Sequence, residues 1–209
     1  MTALNIHLEG IETERFPDGN VAGILEEIVE NDYPVALSLP PFLIPYWEEK
    51  SPEVVELIKH IVSRKENVLG QQGNTHKCRF KHGFADPYHE NFCLWRRRLT
   101  EDEQREFMVI GRDALFEFTG VVPGLYVPPN HYFDRTTVSL AEEMGYLFFT
   151  NAAVLNFGAY RFGRMIIIPE VSIKRGKTEG DAAFIHYNEE PSYLGTYDKD
   201  IANFNTYWD

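Results

Sequence analysis

Asn67-Val68-Leu69-Gly70-Gln71-Gln72-Gly73-Asn74-Thr75-His76 joins a short apolar run to a turn that ends in a histidine. The segment beyond it carries His82, His89 and two cysteines, Cys78 and Cys93. An apolar run followed by Gly, Asn and Thr reads as a strand leaving the core, and ligands of α/β folds collect outside the carboxyl ends of strands. His76, with Thr75 before it and Gln72 four residues upstream, therefore stands where such an enzyme assembles a metal or acid/base site.

Elements on both sides of this stretch alternate. Leu4-Asn5-Ile6-His7-Leu8 reads as a first strand, and Asn20 as the N-cap of a helix carrying Val21, Ile24, Leu25 and Ile28 on one face. Val35-Ala36-Leu37-Ser38-Leu39 is a second strand ending at Pro40-Pro41. Ser51-Pro52 offers an N-cap and an N1 proline to a helix with Val54, Val55, Leu57, Ile58, Ile61 and Val62. Val68-Leu69 is the third strand. Downstream, Thr100-Glu101-Asp102-Glu103 has the form of a capping box opening a long helix, with Phe107, Ile110, Ala114 and Phe118 as its buried stripe and Gly120 as its C′ residue. The strand Leu125-Tyr126-Val127 runs into Pro128-Pro129, and an Asp134-capped helix with Val138 and Ala141 ends at Gly145. Tyr146 to Phe149, Arg164 to Ile168 and Ala182 to His186 complete the set of strands. Strands that alternate with helices at this spacing imply a parallel sheet, open or closed into a barrel.

Composition narrows the function classes. A chain of 209 residues, 44% hydrophobic and 14% aromatic, has the material for one sizeable core, so a single domain over residues 1–209 is expected. The formal net charge of −12 argues against nucleic acid, whose binding draws on clustered cations; Arg96-Arg97-Arg98 is the one basic run and reads as a solvated face. No apolar run approaches the roughly 18 residues of a membrane helix, and the first residues lack the pattern of a secretory signal. Two cysteines fifteen positions apart form neither a disulfide framework nor a four-thiolate zinc spacing, which suits reduced thiols in the cytoplasm. Residues 73–99 and 151–163 are the two long irregular stretches. The first holds the titratable groups, and the second reads as a surface connection.

The order of these elements and the residues at the strand ends resemble the polysaccharide deacetylase superfamily, carbohydrate esterases built on a distorted (β/α) barrel of about seven parallel strands. Leu8-Glu9-Gly10 falls where that family has Asp-Asp, Gln72 to His76 where it has His-x-x-x-His, and Val127-Pro128-Pro129-Asn130 where it has Arg-Pro-Pro-Tyr. Phe184-Ile185-His186 falls where it has Leu-x-His. The likeness runs over nearly the whole chain and is nearest to a branch with an extended loop after the third strand. It implies Glu9 as a catalytic base, His186 as the acid that protonates a leaving amine, and a divalent metal, zinc by preference, held by His76 and Gln72. His89 and Glu90 of the extended loop would serve as further ligands. Tyr126, Pro129 and Asn130 would line the substrate cleft, Tyr126 stacking on a sugar face.

Two departures bear on that implication. Gly10 has no side chain to ligate a metal, and the Gln72 amide oxygen is a poor substitute for imidazole toward a transition metal. Asp18, in Pro17-Asp18-Gly19-Asn20, is a turn residue by its neighbours. Three readings follow: a metal-dependent hydrolase that cleaves an N-acyl bond of an amino sugar or similar amide through Glu9, His76 and His186; a carbohydrate-binding or regulatory pseudoenzyme without the metal ligands; and a hydrolase with a site rebuilt from His76, His82, His89, Cys78 or Cys93. The partner expected in each is a small carbohydrate or amide, with neither nucleic acid nor membrane.

Overall fold

The computed structural model describes residues 3–8, 19–75, 99–129, 133–152, 159–172 and 182–186. Its strands are β1 (Ala3–His7), β2 (Ala36–Leu39), β3 (Val68–Gln72), β4 (Leu125–Val127), β5 (Phe148–Ala152), β6 (Tyr160–Phe162), β7 (Met165–Ser172) and β8 (Ala182–His186). Its helices are α1 (Gly19–Asn31), α2 (Ile44–Lys50), α3 (Pro52–Ser63), α4 (Glu101–Thr119) and α5 (Arg135–Glu143), with a 3-10 turn at Pro41–Leu43 before α2. β1 pairs in parallel with β2 and with β8, β2 with β3, β3 with β4, β4 with β5, β5 with β7, and β7 with β8. Those pairings close a ring of seven parallel strands, the distorted barrel that the alternation and the resemblance led one to expect. All seven carboxyl ends consequently lie at one end of the barrel.

Burial follows the period of two. In β1, Leu4, Ile6 and Leu8 lie in an apolar cluster with Leu25 and Ile28 of α1 and Ile58 and Ile61 of α3, so this face packs outward under the helices. Asn5 and His7 occupy the opposite face, toward the barrel interior. A second cluster joins Tyr126, Phe149 and Ile167 of the sheet to Met108 of α4 and Val138, Leu140 and Ala141 of α5. Each fully buried aliphatic side chain in these clusters contributes about 2 kcal/mol relative to exposure. No helix among the described residues is long and apolar enough to cross a membrane.

The helix signals in the sequence are met where they were local. Thr100 accepts from the Glu103 amide while Glu103 reaches back to the Thr100 amide, Asp134 and Thr137 form the same reciprocal box, and Gly120 closes α4 at φ 74°. Ser51 departs from expectation: its side chain makes no cap bond, and its backbone carbonyl instead receives the Val54 and Val55 amides. Asn20 lies inside α1, which starts at Gly19.

The buried face of α4 is Gln104, Met108, Gly111, Leu115 and Phe118, rotated from the expected stripe, and Ile110 is 49% exposed. Polar and small residues turn inward there because they meet buried partners on the sheet and on α5. The stretch expected as an irregular connection after β5 contains β6, which runs antiparallel along the first half of β7. β7 itself extends four residues beyond the expected strand, from Ile168 to Ser172.

A candidate site at the carboxyl ends of the barrel strands

β3 is the strand on which the site is built, and its two glutamines face opposite ways. Gln71 points outward beneath α4, where its Nε2 donates to the carbonyls of Gly73 and Met108 at 3.0 Å each and the Tyr146 hydroxyl donates to its Oε1. Burial pushes the Tyr146 phenol well above its ordinary range, so the hydroxyl stays protonated and remains a donor. This cluster clamps the start of the turn that leads to His76 against the helix.

Gln72 points inward, 2% exposed, and its Nε2 lies 3.3 Å from His7 Nδ1. Asn5 Nδ2 lies 3.0 Å from His7 Nε2, and the Ser38 hydroxyl donates to Asn5 Oδ1 at 2.7 Å. Ser38, Asn5, His7 and Gln72 thus form one buried polar chain across β2, β1 and β3. Gly70 makes room for it: a Cβ there would lie 2.3 Å from Ser38 Oγ. His7 was not singled out in the sequence. The signal was present, since Asn5 and His7 alternate with Leu4, Ile6 and Leu8 and give β1 a polar face that only a polar barrel interior would accept.

The expected site residues divide into those placed here and those beyond description. His186 ends β8 in register with His7, so its backbone lies at the same end of the barrel as Gln72. Pro129 is buried just after β4. Tyr126 is corrected: it is fully buried, with its ring 5.5 Å from that of Tyr146 and 5.7 Å from that of Phe149, so it packs in the outer core and offers no stacking face to a sugar. The physical reason is alternation, because Leu125 contacts the barrel interior near Gly70 and its neighbour must point outward. Glu9, His76, His89, Glu90 and Asn130 lie outside the described residues, as do Asp18, Cys78, His82, Cys93 and Arg96 to Arg98. The strand ends from which the chain continues toward Glu9, His76 and Asn130 all lie at the barrel end that holds Gln72.

A second buried cluster braces the same end. Thr137 Oγ1 donates to Gln104 Oε1 at 2.6 Å, and Gln104 Nε2 donates to Asp134 Oδ1 and to the Leu99 carbonyl. It ties Leu99 and the first turn of α4 to the cap of α5.

Of the donors that the resemblance implies for a divalent metal, only Gln72 lies among the described residues. The place of the metal's first imidazole holds an amide engaged with His7, and Gly10 supplies no donor at the place of the metal-binding carboxylate. Among the described residues, no three His, Cys, Asp or Glu side chains gather as a metal-holding group.

No protein-family model and no curated protein matches the chain. Solved structures do. A CE4 family pseudoenzyme from Bacillus anthracis aligns with a TM-score of 0.61 and 15% identity over 97% of this chain and 60% of its own length. A family 4 carbohydrate esterase from the same organism gives 0.58 and 13% over 98% of this chain and 75% of that one. For the peptidoglycan deacetylase PdaC from Bacillus subtilis, in a mutant form, the values are 0.53 and 14% over 97% and 81%. The chain spans about 60% of the length of the pseudoenzyme it matches. At these identities the likeness is one of architecture, and the fold of this chain is that of the polysaccharide deacetylases.

Proposed function

We propose that this chain binds an N-acylated amino sugar, or a similar small amide, at the carboxyl end of a deacetylase-type barrel and no longer performs the metal-dependent hydrolysis of that fold. The observation that carries this reading is the Gln72 amide, buried against His7 where the resemblance calls for a metal-binding imidazole. A carboxamide beside an imidazole in a buried interior forms a recognition surface for hydroxyl and amide groups, and a carboxamide lacks the charge that a divalent cation favours.

A second reading, hydrolysis of the N-acyl bond with Glu9 as base and His186 as acid, is favoured by one observation. His186 ends β8 in register with His7 on the neighbouring strand, the end of the barrel where a leaving-group acid would stand. Zinc analysis of protein purified without chelator, paired with an assay for acetate released from N-acetylglucosamine oligomers, separates the two. Binding of the oligomer with no acetate release supports the first reading. Near-stoichiometric zinc with turnover that is lost in His186→Ala overturns it in favour of the second.

A further inference from the structure

We infer that Thr150 is a ligand-binding residue of the barrel interior, its hydroxyl held for one hydroxyl group of a neutral sugar. This deepens the proposed function, rests on it for the class of ligand, and adds to the site a wall formed by β4, β5 and β7.

Strand register places Thr150 on the inner face. Leu125 meets the barrel interior beside Gly70, and its partner on β5 is Phe148, so Phe148 shares that face. Thr150, two residues on, returns to it, while Phe149 between them packs in the outer cluster with Tyr126 and Ile167. The β7 partner of Thr150 is Ile168. Val127, two residues beyond Leu125 on β4, has Gln72 as its β3 partner, so Thr150 stands at the same end of the barrel as the polar chain around His7.

Thr150 is 2% exposed, and its Oγ1 has no hydrogen-bond partner among the described residues. A buried hydroxyl without a partner loses its hydration and regains nothing, and valine, of nearly the same shape, would fill the position without that loss. The partner that accounts for the hydroxyl therefore comes from outside the folded chain, and the surroundings define its chemistry. β4, β5 and residues 165–168 of β7 carry no charged side chain, which disfavours a carboxylate or a phosphate. Phe148 and Ile168, on the same face as Thr150, are only partly buried and leave apolar surface open there. A pyranose matches such a wall: its C–H faces suit the apolar side chains, and its hydroxyl groups both donate and accept, as the threonine hydroxyl does.

The test compares Thr150→Val and Thr150→Ser with the parent, each as the full chain. Urea titration without ligand reads whether the hydroxyl has a partner in the protein, and calorimetric titration with N,N′-diacetylchitobiose reads its use by a ligand. Thr150→Val is expected to match or exceed the parent in urea midpoint and to bind the disaccharide about tenfold more weakly, while Thr150→Ser, which keeps the hydroxyl, binds nearly as the parent does. A lower midpoint for Thr150→Val shows that the hydroxyl is already satisfied within the fold and overturns the inference. Unchanged affinity in Thr150→Val, with the parent binding, also overturns it and leaves the proposed function standing. If the parent itself binds no disaccharide, the proposed function falls and takes the sugar assignment of Thr150 with it.

Discussion

Gly111→Ala places one methyl group at the most crowded point between α4 and the site strand. A Cβ on Gly111 would lie 2.4 Å from Gln71 Nε2, 2.8 Å from the Gly73 carbonyl oxygen and 3.2 Å from Gln71 Cδ. Gln71 has little freedom to yield, because Tyr146 holds its oxygen and the carbonyls of Gly73 and Met108 hold its nitrogen. The Gly73 oxygen is backbone, one residue beyond β3. Replacing a helical glycine by alanine gains about 1 kcal/mol of helix propensity. Against that stand two buried hydrogen bonds at about 1 kcal/mol each and an overpacking cost of roughly 1–3 kcal/mol. The net expectation is a loss of about 2–4 kcal/mol, which for a chain of this size lowers Tm by about 2–4 °C per kcal/mol. Gly23→Ala in α1 is the matched control: it is exposed, nothing lies within 4 Å of its Cβ position, and it should stabilise by roughly 0.5–1 kcal/mol. Urea titration of both variants with the parent reads the difference. If Gly111→Ala matches or exceeds the parent in stability, α4 is not locked to β3 through Gln71 and the reasoning is wrong.

Further outcomes follow from the same contacts. Tyr146→Phe removes the donor to buried Gln71 Oε1 and should cost about 1–3 kcal/mol by urea titration at neutral pH. Because burial raises the folded-state pKa of Tyr146 above its unfolded value near 10, the parent should lose stability as pH rises above about 10, by at most about 1.4 kcal/mol per pH unit, and Tyr146→Phe should lack that part of the alkaline loss. Asp134→Ala should cost about 2–3 kcal/mol, since it strips both the α5 cap and an acceptor from buried Gln104, whereas Thr100→Ala, a cap at an exposed helix start, should cost about 1 kcal/mol. Gln72→His combined with Gly10→Asp should raise zinc affinity by roughly tenfold or more in calorimetric titration if missing donors are what exclude the metal, and an unchanged affinity would refute that.

Features with short-range causes were legible in the sequence. The capping boxes at Thr100 and Asp134 depend on residues three apart, and the parallel order of the strands follows from alternation with helices whose lengths suit crossovers. The α4 face was misread because Phe107 and Ile110 are more hydrophobic than Gln104 and Gly111. A hydropathy stripe cannot register that Gln104 is matched to Asp134 and Thr137, or that Gly111 is required by Gln71. Those demands come from residues 30 to 40 positions away. β6 was missed for a related reason, since three residues of strand owe their conformation to β7 and not to a pattern of their own.

The glutamine pair shows how far the reading of a site depends on the third dimension. Side by side in sequence, Gln71 and Gln72 look like two polar residues leaving a strand, and only the second has a counterpart in the deacetylase motif. In the barrel, the period of two sends one to each face, and each becomes the centre of a buried polar cluster: Gln71 with Tyr146 and α4, Gln72 with His7 and β1. A histidine at position 72 would project into the same interior, so Gln72→His acts on the His7 ring as well as on any metal. Asn5, His7 and Ser38 then make physical sense together, because polar groups buried in a barrel interior need hydrogen-bond partners. In the sequence Gln72 reads as a weak metal ligand. The geometry makes it one member of a polar set whose other members lie on β1 and β2, which is why the double substitution toward the metal motif is also a test of how strongly that set has committed the barrel to its present chemistry.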